Sequence, residues 1–181
     1  GEFIRSNTVH CFCDASEEAY CAAVYMAIKY SSGRKSSKLV AAKTKVAPLD
    51  ATSVPRLELM GAVVAVKLAT SVGRAFNFSS NMICYWTDNQ NVLCWTRGRS
   101  KRYKAFVGNR VSKIQKNSDP ACWRYVPSKE NPADIATHGK SIDDLYNNTL
   151  WWYGPEFLVD QNKWPEALVF VSSNLELRTN Q

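Results

Sequence analysis

Alternating hydrophobic and polar positions predict three β-strands in the first quarter of the chain. Residues 8–15 and 38–46 alternate, and residues 20–30 form a longer run rich in Ala, Val and Tyr. Turn-forming residues at 15–18 and 31–34 separate the three segments. Because both connections are short, we expect the three strands to pair as consecutive antiparallel neighbours.

A helical pattern follows a linker over residues 48–55. Ser53 suits the N-cap and Pro55 suits the first turn, so the pattern predicts a helix over residues 56–75. Its apolar positions cover most of the helix surface instead of one stripe. We therefore expect this helix to be packed on both sides.

Strands and helices alternate in the middle of the chain. Residues 82–87 are almost all apolar, which is typical of a buried parallel strand. The other elements predicted are a strand over 122–126 and helices over 89–96, 105–116 and 132–139. This order predicts an α/β domain with a five-stranded mixed sheet flanked by helices. Strands one to three are expected to be antiparallel, and strands one, four and five parallel.

The size and composition suit one domain with an additional tail. The chain has 181 residues, of which 45% are hydrophobic and 22% are charged. We expect residues 1–7 to be a cloning remnant or linker, residues 8–139 to form the domain, and residues 140–181 to form an acidic, Trp-rich C-terminal extension. No apolar stretch approaches the roughly 20 residues that span a bilayer, so no membrane partner is expected.

The cysteines are typical of free thiols in a reducing compartment and not of zinc ligands. Six cysteines occur without a C-x-x-C pair, and the chain has two histidines. A zinc site is therefore not expected. Free, buried thiols are the preferred interpretation.

The charge is unevenly distributed. Residues 140–181 carry three basic and six acidic side chains, whereas the remainder carries twenty basic and ten acidic side chains. Two stretches are basic and free of acids: 29–45 has six Lys or Arg residues, and 97–116 has eight. Such runs are commonly only solvated surface. Two of them around a group of carboxylates favour a phosphodiester ligand.

Four carboxylates stand where the predicted fold can bring them together. Asp14 and Asp88 end apolar strands, Glu58 lies in the long apolar helix, and Asp134 lies at the start of the last helix. Parallel strands one and four would place Asp14 and Asp88 side by side at one sheet edge. Each aspartate also has a purely structural interpretation. Asp14 could form an Asx turn, Asp88 could be a helix N-cap, and Asp134 could be a favourable acid in the first turn of a helix.

Glu58 has no comparable structural interpretation. An ionised carboxylate on an apolar helix costs several kcal/mol unless it is paired or binds a cation. Arg56 is two positions away and does not face Glu58 on a helix. Oxygen donors without a His/Cys cluster favour Mg²⁺ or Mn²⁺ over zinc. Two such ions ~4 Å apart can activate a water and stabilise the leaving oxygen of an in-line displacement.

Four short motifs resemble, in order, the active-site motifs of ribonuclease H: Phe12-Cys13-Asp14-Ala15-Ser16, Leu57-Glu58-Leu59-Met60-Gly61-Ala62, Trp86-Thr87-Asp88-Asn89-Gln90 and Glu130-Asn131-Pro132-Ala133-Asp134. Other segments are similar to the region that follows reverse transcriptase in BEL/Pao-type LTR retrotransposon polyproteins: Phe106-Val107-Gly108-Asn109-Arg110-Val111, Trp123-Arg124-Tyr125-Val126-Pro127 and Leu150-Trp151-Trp152-Tyr153-Gly154-Pro155. The resemblance extends over residues 9–168.

The resemblance implies a ribonuclease H-like fold and cleavage of the RNA strand of RNA–DNA hybrids with two Mg²⁺ ions, or with Mn²⁺. The implied catalytic residues and metal ligands are Asp14, Glu58, Asp88 and Asp134. The implied contacts to the hybrid are Ser16, Arg56, Asn89, Gln90, Lys101, Arg102 and Lys104. Gln90 matches a position that touches the minor groove, where 2′-hydroxyls distinguish RNA from DNA. For each basic residue, a solvated loop is the alternative.

Two departures from the ribonuclease H pattern affect these expectations. The loop 126–131 lacks the histidine that many ribonucleases H place before the last aspartate. His138 is the auxiliary candidate for that role, and interaction with the helix dipole is the other interpretation. Val54-Pro55 replaces polar residues often found before the helix glutamate, so the hybrid affinity of the domain alone is expected to be low.

Alternatives to the enzyme are a non-catalytic spacer or nucleic-acid clamp with the same fold, and an integrase-like nuclease. The order Asp, Glu, Asp, Asp favours ribonuclease H over an integrase, whose glutamate comes last. In the retroelement setting, the expected partners are the hybrid, an upstream reverse transcriptase and a downstream integrase. The expected location is the cytoplasm, in a virus-like particle. Trp151, Trp152 and Trp164 could stack on bases, but the acidic tail favours packing on the core or a bridge to the integrase.

Overall fold

Five strands form one mixed sheet in the computed structural model, which describes residues 1–169 and 172–179. Their order across the sheet is β3-β2-β1-β4-β5. The strands are β1 (Ile4–Ala15), β2 (Ala19–Tyr30), β3 (Lys35–Val46), β4 (Ile83–Thr87) and β5 (Trp123–Tyr125). The α-helices are α1 (Val54–Phe76), α2 (Gln90–Arg97), α3 (Ala105–Asn117), α4 (Ala133–Thr137), α5 (Ile142–Tyr146) and α6 (Thr149–Tyr153).

Strand β1 is the central strand. It pairs antiparallel with β2 and parallel with β4, with Phe12 opposite Trp86. Strand β3 pairs antiparallel with β2, and β5 pairs parallel with β4. The predicted fold class is therefore confirmed: an α/β, ribonuclease H-like fold with the first three strands antiparallel and strands one, four and five parallel.

The sheet begins earlier than the sequence pattern predicts. Strand β1 starts at Ile4, which lies opposite Tyr30 at the far end of β2. The segment is mostly exposed, so it lacks the apolar alternation by which strands are recognised. Its backbone groups are nevertheless used in the ladder with β2, which explains why a polar segment is a strand. The expectation that residues 1–7 lie outside the domain is wrong for residues 4–7.

Helix α1 packs on one face of the sheet and supplies much of the larger core cluster. Its buried residues include Leu57, Leu59, Ala62, Ala65 and Ala69. By length and composition this helix could cross a membrane, but 50% of its most apolar 18-residue window is buried inside the protein. The expectation that no stretch is that long and apolar is therefore corrected. Contacts with the sheet and with α3 account for the apolar composition.

The other face of the sheet is covered partly by the C-terminal extension. Trp151, Phe157 and Leu158 are buried in a second core cluster with Phe12 and Trp86. Residues 151–158 therefore belong to the same core as the strands. Residues 170, 171, 180 and 181 of the predicted extension lie outside the described residues.

The three tryptophans singled out in the extension differ in exposure. Trp151 is buried, and its backbone oxygen accepts a hydrogen bond of 2.6 Å from the Tyr25 hydroxyl. Trp164 packs edge-on against Trp86. Trp152 is 41% exposed. Two of the three rings thus pack on the sheet, so the core explains their presence.

Candidate active site

The parallel pairing of β1 and β4 brings two aspartates to one edge of the sheet. Asp14 is the penultimate residue of β1, and Asp88 directly follows β4. Helix α1 approaches the same edge closely because it has Gly61 at the contact. A Cβ atom at this position would lie 3.0 Å from the backbone oxygen of Asp14. This close approach positions Glu58, one turn earlier, beside both aspartates.

Asp14, Glu58 and Asp88 form a compact group of carboxylates. Each offers one oxygen atom, and these three atoms lie within 4.8 Å of one another. Asp14 is 3% exposed and Glu58 is 6% exposed. Glu58 Oε2 and Asp88 Oδ1 are buried without a hydrogen-bond partner within the described part of the chain. Buried carboxylate oxygens without donors are unfavourable unless a cation satisfies them.

Burial and mutual repulsion shift the titration of this group. Burial, followed by the charges of Asp88 and Asp134, raises the pKa of Asp14 to about 8. Burial, followed by the charges of Asp14 and Asp88, raises the pKa of Glu58 to about 9. Burial also raises the pKa of Asp88. The donor set of hard oxygens therefore fits divalent cations, whose charge would offset these shifts.

Asp134 lies beside the compact group and is more accessible. It is the second residue of α4, and its side chain is 45% exposed. Its negative charge contributes to the raised pKa values of Asp14 and Asp88, which places it near both. His138 Nε2 lies 3.2 Å from Asp134 Oδ1, one helical turn away. Both candidates are thus accessible to solvent and in contact with each other.

Three further polar residues, none of them among the predicted site residues, hold this arrangement. The Ser128 hydroxyl donates to Asp88 Oδ2 at 2.6 Å. Thr137 Oγ1 lies 3.1 Å from Asp14 Oδ2 and 2.9 Å from the backbone oxygen of Asp134. No local pattern marks Ser128 or Thr137, because the carboxylates that they contact, Asp88 and Asp14, are 40 and 123 positions away in the sequence.

The third of these residues is Asn131. Its Nδ2 donates to the backbone oxygen of Cys13 at 3.0 Å, and its Oδ1 accepts from Ala133 N at 3.1 Å. Asn131 is 1% exposed. It therefore fixes the start of α4, and with it Asp134, to the end of β1.

The predicted hybrid contacts near the carboxylates have different surroundings. The Ser16 hydroxyl donates to the backbone oxygen of Thr137 at 2.7 Å. Asn89 is the N-cap of α2, where its side chain accepts from Val92 N at 3.0 Å. Both side chains are thus used within the fold. Gln90 is exposed at the first position of α2, where a ligand can reach it.

The predicted basic contacts lie on and beside the segment 97–104. Lys101, Arg102 and Lys104 are exposed. The Arg56 guanidinium, in contrast, forms an ion pair with Glu176 at 2.8 Å. The C-terminal residues 172–179 thus reach the surface that the sequence analysis assigned to nucleic acid.

Comparison with protein families gives one match. Residues 3–89 match the family described as the Pao retrotransposon-like RNaseH-like domain. The matched region of the RNaseH-like domain contains β1 to β4, α1 and the compact carboxylate group, whereas Asp134 lies beyond it. The recognition made from the sequence is thereby confirmed.

Two solved structures are similar to the chain. One is the N-terminal RNase H domain of rv2228c from Mycobacterium tuberculosis, solved as a fusion with maltose-binding protein, with 12% identity and a TM-score of 0.45 over 70% of this chain and 91% of that chain. The other is RNase H1 from the halophilic archaeon Halobacterium salinarum NRC-1, with 16% identity and a TM-score of 0.43 over 75% of this chain and 98% of that chain. No curated protein matches the chain.

Proposed function

We propose that this RNaseH-like domain is a ribonuclease H: a hydrolase that cuts the RNA strand of RNA–DNA hybrids with the help of divalent cations. The observation that carries the proposal is the compact group of Asp14, Glu58 and Asp88. One oxygen from each of the three residues lies within 4.8 Å of the other two. Glu58 Oε2 and Asp88 Oδ1 are buried without a hydrogen-bond partner within the described residues. A domain that served only as a spacer would have no need of such an unfavourable group.

The carboxylates are the residues that would hold the ions. Asp14, Glu58 and Asp88 would hold them from the protein side, and Asp134 would complete the set from the solvent side, where it is 45% exposed. Mg²⁺ is the ion that hard carboxylate oxygens fit best in this setting, with Mn²⁺ as the substitute. Held there, two such ions would supply an activated water and stabilisation of the leaving oxygen for in-line phosphodiester hydrolysis.

Other residues would position the substrate and the ligands. Ser128 and Thr137 orient the aspartate carboxylates through the hydrogen bonds given above. Gln90, at the exposed start of α2, would lie against the minor groove of the hybrid. Lys101, Arg102 and Lys104 would contact the sugar-phosphate backbone. His138 would act as an auxiliary residue at the open side, through its contact with Asp134.

The setting of the activity is part of the same proposal. The family match to Pao retrotransposons supports a retroelement polyprotein of BEL/Pao type, in which reverse transcriptase precedes the domain and integrase follows it. The reaction would then take place in a cytoplasmic virus-like particle during reverse transcription. Reverse transcriptase would hold the hybrid while this domain cuts its RNA strand.

The test is cleavage of a labelled RNA–DNA hybrid with Mg²⁺, with Mn²⁺ and with a chelator, beside RNA and DNA duplex controls. We expect metal-dependent cutting of the hybrid alone. Asp88→Asn should abolish cutting while hybrid binding and melting temperature stay nearly unchanged. Asp50→Asn, at an exposed loop position, is the matched control and should cut normally.

Two other results would decide against the proposal. Full activity of Asp88→Asn would show that the proposed metal ligands are wrong. Hybrid binding without cutting, even after reverse transcriptase is added, would favour a non-catalytic nucleic-acid clamp.

A further inference from the structure

A second basic surface, distinct from the segment 97–104 and from the carboxylates Asp14, Glu58 and Asp88, lies in a groove between β3, α1 and α3. The groove has a volume of about 300 Å³. Five basic residues line it: Lys43 and Lys45 from β3, Lys67 from α1, and Arg110 and Lys113 from α3. No acidic residue lines the groove in the described part of the chain.

The five cations have no anionic partner in the part of the chain that the structure describes. None of them forms a salt bridge within residues 1–169 and 172–179. Arg110 instead lies over the ring of Phe106, 3.5 Å from the centroid, and donates to the backbone oxygen of Phe106 at 3.1 Å. Like charges gathered on three elements repel one another, and a bound polyanion would relieve that repulsion.

The floor of the groove is apolar. Met60, Val63 and Leu68 line it from α1 and are only partly buried, and Tyr20 closes it at the sheet. The combination of a partly exposed apolar floor with basic walls differs from an ordinary solvated basic face. It offers one surface to a sugar or base and another to the phosphates beside it.

The groove begins next to the carboxylate group. Ala15 directly follows Asp14 in β1. Tyr20 lies opposite Ala15 at the end of β1, and Lys45 lies opposite Tyr20. From this edge the groove follows α1 past Lys67 to Ser71. A nucleic-acid strand that passes the carboxylates could therefore continue along the groove.

We propose that this groove binds single-stranded nucleic acid, with Lys43, Lys67 and Lys113 contacting phosphates and the α1 side chains contacting sugars or bases. An unpaired strand can place its bases on an apolar floor, whereas a duplex turns its bases inward and presents mainly phosphates. Single-stranded nucleic acid therefore uses both surfaces of the groove. Binding here does not depend on hydrolysis, so the proposal goes beyond the proposed function and is separable from it.

The test measures binding of labelled single-stranded DNA and RNA of twelve nucleotides by fluorescence anisotropy, with chelator present so that the carboxylates hold no metal. The groove variant is Lys43→Glu with Lys67→Glu and Lys113→Glu. The matched control has the same charge change at exposed positions outside the groove: Lys38→Glu with Lys140→Glu and Lys163→Glu. Melting temperatures establish that each variant is folded.

The groove variant should bind single strands at least tenfold more weakly than the control at low salt. Its plot of log affinity against log salt should also become shallower by about two, since each lost phosphate contact removes about 0.7 from the slope. The single variants Lys67→Ala and Lys113→Ala should each show part of the loss, which keeps the test valid if the triple variant does not fold.

Three results would overturn the proposal. If the groove variant and the control lose affinity for single strands equally, the loss would come from the change in net charge and not from the groove. Equal weakening of single strands and of a DNA duplex would remove the preference for unpaired strands. Competition by an acidic peptide as strong as that by an oligonucleotide of equal charge would make the groove a protein-binding surface instead. None of these results depends on whether Asp88→Asn abolishes cleavage.

Discussion

Arg56 and Glu176 form a bidentate ion pair, although they are 120 positions apart in the sequence. The guanidinium donates to the two carboxylate oxygens at 2.8 and 3.0 Å, and the Glu176 side chain is 11% exposed. The backbone around Glu176 is fixed as well, because Lys104 N donates to Glu176 O at 2.8 Å and Arg178 N donates to Arg102 O at 2.9 Å. The C-terminal residues 172–179 therefore lie across the basic surface proposed to contact the hybrid.

Replacing Glu176 with Gln should strengthen hybrid binding. The carboxylate takes the place at which a phosphate would bind Arg56, so a hybrid must first displace it. Removing its charge should increase hybrid affinity roughly fivefold, as expected for the loss of about 1 kcal/mol of competing interaction. Binding of a labelled hybrid in chelator measures the effect, and Glu166→Gln, at an exposed position, is the control. Unchanged or weaker binding would contradict the expectation.

Ser128→Ala should weaken the response to Mg²⁺. The Ser128 hydroxyl donates to Asp88 Oδ2 at 2.6 Å, and this hydrogen bond lowers the pKa of Asp88 against the larger effect of burial. Without it, Asp88 should be a less well oriented and more easily protonated ligand. The Mg²⁺ concentration for half-maximal cleavage should rise roughly tenfold. Ser128→Thr keeps the hydroxyl and should restore the response; a Thr variant as impaired as the Ala variant would exclude the hydrogen bond as the cause.

The placement of three carboxylates could be predicted because each depends on local pattern. Apolar strands ending at Asp14 and Asp88, and an acid within an apolar helix at Glu58, are visible in the sequence itself. Parallel pairing of strands one and four then brings their ends together. Short turns likewise predict the antiparallel order of β1, β2 and β3, whereas β4 joins β1 through the crossover helix α1.

The supporting contacts could not be predicted, because they join residues without any local signature. Ser128 and Asp88 are 40 positions apart, and Thr137 and Asp14 are 123 positions apart. The ion pair between Arg56 and Glu176 likewise depends on how the C-terminal residues cross the surface. Ser, Thr and Glu occur throughout exposed loops, so only the packed structure distinguishes these three.

His10 should stay neutral well below its usual titration range. The imidazole is 1% exposed, and burial lowers its pKa to about 4. Trp86 Nε1 donates to His10 Nδ1 at 3.1 Å, so the ring proton is assigned to Nε2, which faces Thr8 Oγ1 at 2.9 Å. Because the unfolded chain takes up this proton first, the stability contributed by neutral His10 is present above pH ~6.5 and is lost as the pH falls towards 4.

Nitrogen NMR of the two histidines measures this directly, with His138→Gln used to assign the signals. The His10 ring should remain the Nε2–H tautomer from pH 8 to about pH 5. Trp86→Phe removes the donor to Nδ1 and should allow the tautomers to mix. Protonation of the wild-type ring near pH 6.5 would show that His10 is not buried as described.

Without metal, the carboxylate group should make the protein less stable as the pH rises. The folded pKa values of about 8 for Asp14 and about 9 for Glu58 exceed the unfolded values near 4. Between these limits the folded state binds more protons than the unfolded state, so the free energy of unfolding falls with increasing pH. In chelator, the melting temperature should fall by several degrees between pH 6.5 and 8.5, a window above the titration of His10.

Mg²⁺ should reverse this loss, because it binds the deprotonated carboxylates of the folded state. Glu58→Gln removes one of the two strongly shifted groups, so in chelator its melting temperature should depend less on pH than that of the wild type. The same variant should gain less stability from Mg²⁺ at pH 8.5, whereas Glu166→Gln should behave as the wild type in both respects. A wild-type melting temperature that is flat or rises between pH 6.5 and 8.5 in chelator would mean that Asp14 and Glu58 are already ionised, and the carboxylates would then need no cation to relieve their burial.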